Sequence, residues 1–488
     1  MADSRFLTPN QLAEISLERL QLPVPMAKLE IIHGVARALD EETTHEATKY
    51  ALLRWIVSRD LESEVLEALC ILLLANDAGS ISKNELIQSI ARPSILSDHF
   101  VDLVYSSTSL IKTWPKCHSL EPPGLYTFDK FERELSKTHI VPPVLLNQLR
   151  ELEHRTGLPF IRQWAYEFDQ IQASRGQRHE GYLEFFSGDL MRGEGSGNFV
   201  SSRGHIARSA YLRVFSLAVD LWEMPEDEAL HYAMYTTPVD LSFLQMQPGL
   251  RPSWVSTSYE LEDDTHRACS VLVQTLLDRC EAEAGRSLIH FDGPICRGPR
   301  LQADLEIITF KSCGEDIEIQ DAFAIHEYLP GKVVIDRGDD FSFRLPPWPE
   351  MNSFPVGEES AIWPAIIPTV TRHFGYIHSE LIQRIPYLPV NHNSNGYLEA
   401  IPRLGGADIQ YEDRVIGELH YWNDRWQPMH FKELGPDCAV AVSLMMDEVS
   451  TIFSDSKCST IKCWRAKVYS RDREYGDWKE SVHIGQLD

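Results

Sequence analysis

The apolar residues of this chain change their spacing once, near Arg286, and that change constrains the fold more than any other feature of the sequence. Before it, apolar positions recur at helical intervals, as in Ala27–Leu39, Thr44–Ser58 and Leu61–Ala75. After it they come in short alternating or β-branched runs, the repeat of strands. A chain of 488 residues also exceeds what one hydrophobic core serves, about 250–300 residues, so two or three domains are expected. The expectation is a multi-domain protein, mainly α in its N-terminal half, with an α+β C-terminal domain. The expected boundaries are 1–174 (α-helical), 175–285 (a Gly-rich loop and a helical middle region) and 286–488 (α+β).

Within the first region, Leu61–Ala75 has apolar residues on more than one face, which marks a helix packed on several sides. Ser82 with Glu85 forms a helix-start signature. Residues Pro142–Gln172 read as a helix broken at Gly157-Leu158-Pro159, and helices are expected at Phe128–Leu135, His205–Trp222 and Glu260–Ala284. Strands are expected at Leu288–Phe291, Leu301–Phe310, Ile317–Ile319, Lys332–Ile335 and Phe341–Leu345. Asp408–Tyr411 with Val415–Trp422 reads as a hairpin, and Ala439–Phe453 as a strand running into a helix. Ile461–Tyr469 reads as a last, edge strand guarded by Lys462, Arg465, Lys467 and Arg471.

Charge and cysteine usage narrow the function classes. Lys and Arg total 46 against 72 Asp and Glu, a formal net charge of -26. Such a chain repels a phosphate backbone at long range, so nucleic acid is expected to be reached only through a basic partner. The 9 cysteines are scattered without C-x-x-C spacing, which fits reduced core cysteines in a cytoplasmic protein. No apolar run approaches the roughly 20 residues of a membrane span, so the chain is expected to be soluble and not membrane-bound.

Four patterns carry candidate chemistry. The first is Gly193-Glu-Gly195-Ser-Gly197, ahead of a helix and among Arg175, Arg178, Arg192, Arg203, His205, Arg208 and Arg213. A glycine loop at a helix N-terminus can cradle an anion, so Gly195, Gly197, Arg203 and Arg208 are candidate anion or nucleotide ligands. The P-loop and dinucleotide fingerprints are both absent.

The second is the hairpin Asp408 to His420. An Asp on one strand and Glu-x-His on the next could hold Mg²⁺ or Mn²⁺ through Asp408 and Glu418, with His420 completing a hydrolase or nuclease site. A three-residue loop, Glu412-Asp413-Arg414, sets Asp408 opposite Glu418; a two-residue loop, Asp413-Arg414, sets it opposite Leu419 and dissolves the site.

The third is the aromatic pair Trp422 and Trp426, suited equally to an interface with another protein and to a core. The fourth is Ser82–Tyr105, which resembles a helix-turn-helix whose second helix carries Asp98 and Asp102 rather than basic readers, which argues against a DNA-reading role and leaves a winged-helix-like protein-interaction fold open. Five histidines, His373, His378, His392, His420 and His430, match no zinc spacing, and no Ser–His–Asp arrangement stands out.

The expected function is therefore a non-enzymatic interaction or scaffold subunit of a cytoplasmic multiprotein assembly, without a cofactor and with other protein subunits as partners. The alternatives are a Mg- or Mn-dependent hydrolase or nuclease at 408–420 and an anion or nucleotide sensor at 193–213.

Overall fold

The computed structural model describes residues 7–106, 113–114, 118–128, 143–175, 201–256, 261, 264–312, 323, 362–368, 375–381, 384, 387–389, 398–424, 437–453 and 459–487, and the structural statements below concern these residues. The chain forms two units: Met1–Leu244 with Phe374–Glu380, and Gln245–His373 with Leu381–Asp488. Helices dominate the N-terminal half and an antiparallel sheet occupies the C-terminal part. The division differs from the three regions read from the sequence. The boundary expected near 285 falls inside the second unit, where the helix His266–Ala284 packs on the sheet.

Ten α-helices of the first unit are described. They are α1 Pro9–Glu18, α2 Pro25–Asp40, α3 His45–Val57, α4 Glu62–Leu74, α5 Lys83–Ser89, α6 Ile95–Val104, α7 Pro143–Thr156, α8 Phe160–Arg175, α9 Ser202–Leu221 and α10 Glu226–Ala233. Side chains punctuate them as the sequence dictates. Thr8 and Ser94 close capping boxes, and the Ser82 and Ser201 hydroxyls accept from Glu85 N and Gly204 N. The break expected at Gly157-Leu158-Pro159 separates α7 from α8. Helix α4 is the centre: Val65, Leu66, Ala68, Leu69, Cys70 and Ile71 are fully buried, so apolar residues cover several of its faces. Each such side chain contributes roughly 1.5–3 kcal/mol on leaving water. Beside it, Trp164 of α8 packs edge-on to Tyr211 of α9, and its indole N–H donates to the Ala207 carbonyl at 2.8 Å.

In the second unit, α11 (His266–Ala284) precedes the sheet. Its strands are β1 Arg286–Arg297, β2 Leu301–Ser312, β3 Ile362–Pro364, β6 Leu398–Arg403, β7 Gly406–Tyr411, β8 Arg414–Asn423, β9 Cys438–Met445, β10 Ser459–Ser470 and β11 Lys479–Leu487. Their order is β11-β10-β2-β1-β9-β8-β7-β6, with β3 pairing β2 off this path, while β4 Ile366–Pro368 and β5 Tyr387–Pro389 form a separate pair. Strand β9 runs into the helix Met446–Phe453, as its sequence suggests.

The strand expected to be last and at an edge is interior. Strand β10 lies between β2 and β11, and Arg465 is bonded to Glu306 of β2 at 2.6 Å rather than guarding an edge. The expected strands Ile317–Ile319, Lys332–Ile335 and Phe341–Leu345, and nearly all of the expected helix Phe128–Leu135, lie outside the described residues.

The sheet has two characters. Helix α11 covers one face through Leu272, Val273 and Leu276, which meet Phe291, Leu305, Ile307, Trp422 and Trp464. Leu288 and Phe291 both join this core although regular strand geometry would turn them to opposite faces; a β-bulge between Leu288 and His290 re-aims the strand. Four of the residues that alternate with the core positions are charged, Asp292, Asp304, Glu306 and Arg465, beside the buried apolar Ile308, Val440, Val442 and Cys463. The charged ones are cross-linked, since Arg384 pairs with Asp292 and lies 3.3 Å from Asp304.

Trp422 is buried to 1% exposure inside this core. Of the two roles open to it, interface and core, this indole takes the core; Trp426 lies outside the described residues. Trp422→Ala is expected to lower the unfolding free energy of the second unit by about 3–5 kcal/mol. Urea unfolding followed by tryptophan fluorescence measures this, and a loss under about 1 kcal/mol would show that the indole supports no core.

Candidate functional site

The 408–420 hairpin does bring its two carboxylates together, by a route absent from the sequence argument. The turn is Glu412-Asp413, both residues in the left-handed region with φ of 49° and 62°. Tyr411 therefore faces Arg414 and Gln410 faces Val415. An irregularity between Gln410 and Ile409 then admits one extra residue, Ile416, so that Ile409 faces Gly417 and Asp408 faces Glu418.

The electrostatics of this pair are set by guanidinium groups. Arg403 Nε donates to Asp408 Oδ1 at 2.6 Å and approaches Glu418 at 3.5 Å, while Arg286 donates to Glu418 at 2.9 Å. His420 lies 3.1 Å from the other Glu418 oxygen. The hydrogen bond with His420, joined by Arg286, holds the Glu418 carboxyl at about 2 despite its partial burial. A Mg²⁺ or Mn²⁺ bridging Asp408 and Glu418 would have to displace cations already seated there. Among the described residues no three His, Cys, Asp or Glu side chains are grouped to hold a metal ion.

The basic neighbourhood around 193–213 disperses. Gly195 and Gly197 lie outside the described residues, Arg203 is exposed on the first turn of α9, and Arg208 is fully buried. Arg175 pairs with Asp60 at 2.6 Å, and Arg213 reaches both oxygens of Glu62 at 2.6 and 3.2 Å. Arg175 and Arg213 thus engage separate carboxylates, while Arg208 donates to the Ser63 hydroxyl at 3.2 Å.

The most elaborate polar constellation was invisible in the sequence. It lies in the first unit and joins Lys28 of α2, Ser63 and Glu67 of α4, His205 and Arg208 of α9, and Tyr376 of the return segment. Lys28 Nζ donates to the two Glu67 oxygens at 2.8 and 2.9 Å and to the Leu20 carbonyl. The Tyr376 hydroxyl donates to Glu67 Oε1 at 2.8 Å, and His205 Nε2 lies 3.3 Å from the same oxygen. On its other side His205 Nδ1 meets the Ser63 hydroxyl at 3.0 Å, and that hydroxyl accepts from Arg208 Nε at 3.2 Å.

Burial raises the Glu67 carboxyl, but Lys28 and His205 reverse this and bring it down to about 2. Burial lowers His205 to about 4, against the pull of Glu67. A neutral imidazole with its proton on Nε2 satisfies all of these contacts: it donates to Glu67 and accepts from Ser63. Ser63, His205 and Glu67 form a hydrogen-bonded chain of the residue types used by serine hydrolases. Here Nδ1 rather than Nε2 faces the serine, Glu67 is shared with Lys28 and Tyr376, and Ser63, His205 and Glu67 are exposed by no more than 4%. The arrangement is a sealed network that fixes helix positions, not an open nucleophile.

An open feature does exist in the same unit. Helices α1, α2 and α3 bound a cleft of about 400 Å³, lined chiefly by Leu12, Ala13, Ile31, Gly34, Val35 and Ala38. Leu12, one of the lining residues, is half exposed at 51%. Gly34 sits mid-helix in α2, and an added Cβ there would meet no atom within 4 Å.

No protein-family model matches the chain, and no curated protein sequence is similar to it.

Acid should unfold the first unit in two stages. His205, and His33 for the same reason of burial, sit at about 4 in the folded chain against an ordinary 6.5. The unfolded chain therefore binds these protons first, so the stability these two imidazoles contribute is fully present above 6.5 and is lost as pH falls toward 4. Glu67, at about 2 against 4.5, continues the loss below 4.5. The melting temperature of the helical signal should drop steadily below pH ~6.5; a flat profile down to pH ~4.5 would show that neither imidazole is held neutral. Glu67→Gln, which leaves Lys28 buried without its counter-charge, should cost about 3–5 kcal/mol in urea unfolding.

Proposed function

We propose that the chain is a non-enzymatic interaction subunit of a cytoplasmic multiprotein assembly, docking another protein at the cleft among α1, α2 and α3. The open apolar cleft carries the reading. Concave sites lined mainly by apolar side chains with a few polar groups are where proteins commonly bind ligands and partners. The half-exposed Leu12 adds to the apolar surface of the lining. Gly34 strengthens the argument. A glycine inside a helix costs roughly 1 kcal/mol relative to alanine, yet no neighbouring atom requires its missing side chain. An incoming side chain or backbone would.

The cytoplasmic part of the reading draws support from the described cysteines: Cys70, Cys269, Cys280, Cys296, Cys438 and Cys463 are all buried and none of them is in a disulfide. No described helix is long and apolar enough to cross a membrane. The net charge of -26 favours a partner that is basic near its apolar contact.

Two substitutions at one position test the cleft. Gly34→Ala should raise the unfolding free energy by about 0.5–1 kcal/mol, because it removes unfolded-state freedom and meets empty space. Gly34→Trp should fill the cleft, with the fold retained. Proteins co-purifying with the tagged full chain would be compared for wild type, Gly34→Trp and a control, Val482→Asp, on the exposed side of β11. A partner that binds wild type and the control when purified, and is lost with Gly34→Trp, supports the reading. Identical partner sets for all three chains would sink it.

A further inference from the structure

The return segment is held in the first unit residue by residue. It reaches that unit only after the whole of Gln245–His373 has been laid down in the second. Its backbone is bound first: Tyr376 N–H donates to the Thr237 carbonyl at 3.1 Å and Ile377 N–H to the Pro238 carbonyl at 2.8 Å. His378 then accepts the Asp240 N–H on Nδ1 at 3.3 Å. Gly375 has φ of +84°, and a Cβ there would lie 2.4 Å from the Val239 Cα, so the position admits glycine alone.

Tyr376 is read on three sides. Its hydroxyl donates to Glu67 at 2.8 Å, its ring face lies 3.7 Å from the Arg208 guanidinium carbon, and its edge meets the His205 ring at 5.9 Å. Ile377 beside it is fully buried. A carboxylate aimed at the phenol oxygen, a cation over the ring and a steric demand for glycine are the elements of sequence-specific peptide recognition.

We propose that Thr237–Asp240 with Glu67, His205 and Arg208 form a peptide-binding site of the helical unit. Its ligand class is a Gly-Tyr-aliphatic-His peptide, and the chain's own residues 375–378 occupy it. A partner presenting the same pattern binds when that segment withdraws. The site is separate from the α1–α3 cleft and does not rest on the docking role assigned to it. Tethering explains why the site is filled: a covalently linked ligand acts at an effective concentration on the order of millimolar, so a free competitor of moderate affinity is excluded.

The test uses the full chain and a fluorescent synthetic peptide of residues Arg372–Leu381, with a second peptide in which the tyrosine is phenylalanine. Wild-type chain should leave the peptide largely unbound, and the Tyr376→Ala chain should bind it saturably. The phenylalanine peptide should bind about 10–100-fold more weakly, the loss of one hydrogen bond to a charged acceptor. Absence of binding by Tyr376→Ala chain whose α4 and α9 amides remain protected from hydrogen exchange would overturn the proposal. Should that variant fail to fold, exchange in the wild-type chain decides. Tyr376 and Ile377 amides that exchange faster than those of α9 establish a local opening of the segment. Amides that exchange only together with α9 make the segment an inseparable part of the core and end the proposal.

Discussion

The contact on which the helical unit depends is the buried pair of Lys28 and Glu67. Neither side chain is more than 1% exposed, and two charges taken that far from water cost more than their attraction returns unless every remaining lone pair and proton is matched. The matching is what organises the unit. Lys28 spends its third proton on the Leu20 carbonyl, which ties the turn before α2 to α4. Glu67 takes a phenol from residue 376 and faces an imidazole from α9. Elements from four places in the chain are therefore positioned by one carboxylate, with a geometry that apolar packing would leave looser.

The second unit solves a similar problem differently. Its sheet needs one face for α11 and has charged residues on the other, where Asp292 stands directly across from Glu306. Two carboxylates opposite each other would repel. Arg384 on Asp292 and Arg465 on Glu306 turn that repulsion into a cross-linked layer. The hairpin pair Asp408 and Glu418 follows the same rule, with Arg403 and Arg286 supplying the positive charge. In both places of this unit the carboxylates are paired by guanidinium groups, which is why clustered acids in this sequence mislead when read as metal ligands.

That rule also marks what could be read from the sequence. The change of period at Arg286, the break at Gly157-Leu158-Pro159, the many-sided burial of α4 and the step from β9 into a helix all follow from local spacing, and the structure contains each of them. Strand β11 escaped because Lys479–Leu487 carries only Val482, Ile484 and Leu487 as apolar residues beside a glycine, too weak an alternation to register. Its absence made β10 look like an edge. The register of Asp408 was ambiguous by one residue, since the bulge at Ile416 has no sequence signal of its own. The network at Glu67 was illegible for a different reason: Lys28, Ser63, His205 and Tyr376 are distant in sequence, and each looks like an ordinary polar residue of a helix or loop.

Where the polar residues go inside also decides what the outside can meet. The buried side chains include Lys28, Arg208, Arg384 and Arg465 among the cations and Glu62, Glu67 and Glu306 among the acids, so the described interior is close to balanced. The excess of acidic residues that gives the chain its charge of -26 is then carried mainly nearer water. A net charge of -26 disfavours the approach of acidic partners at long range and leaves any close contact to shape. In the docking role proposed for the cleft, the missing side chain at Gly34 would belong to that second step: electrostatics would choose which surfaces approach, and the space left in α2 would decide which of them can seat.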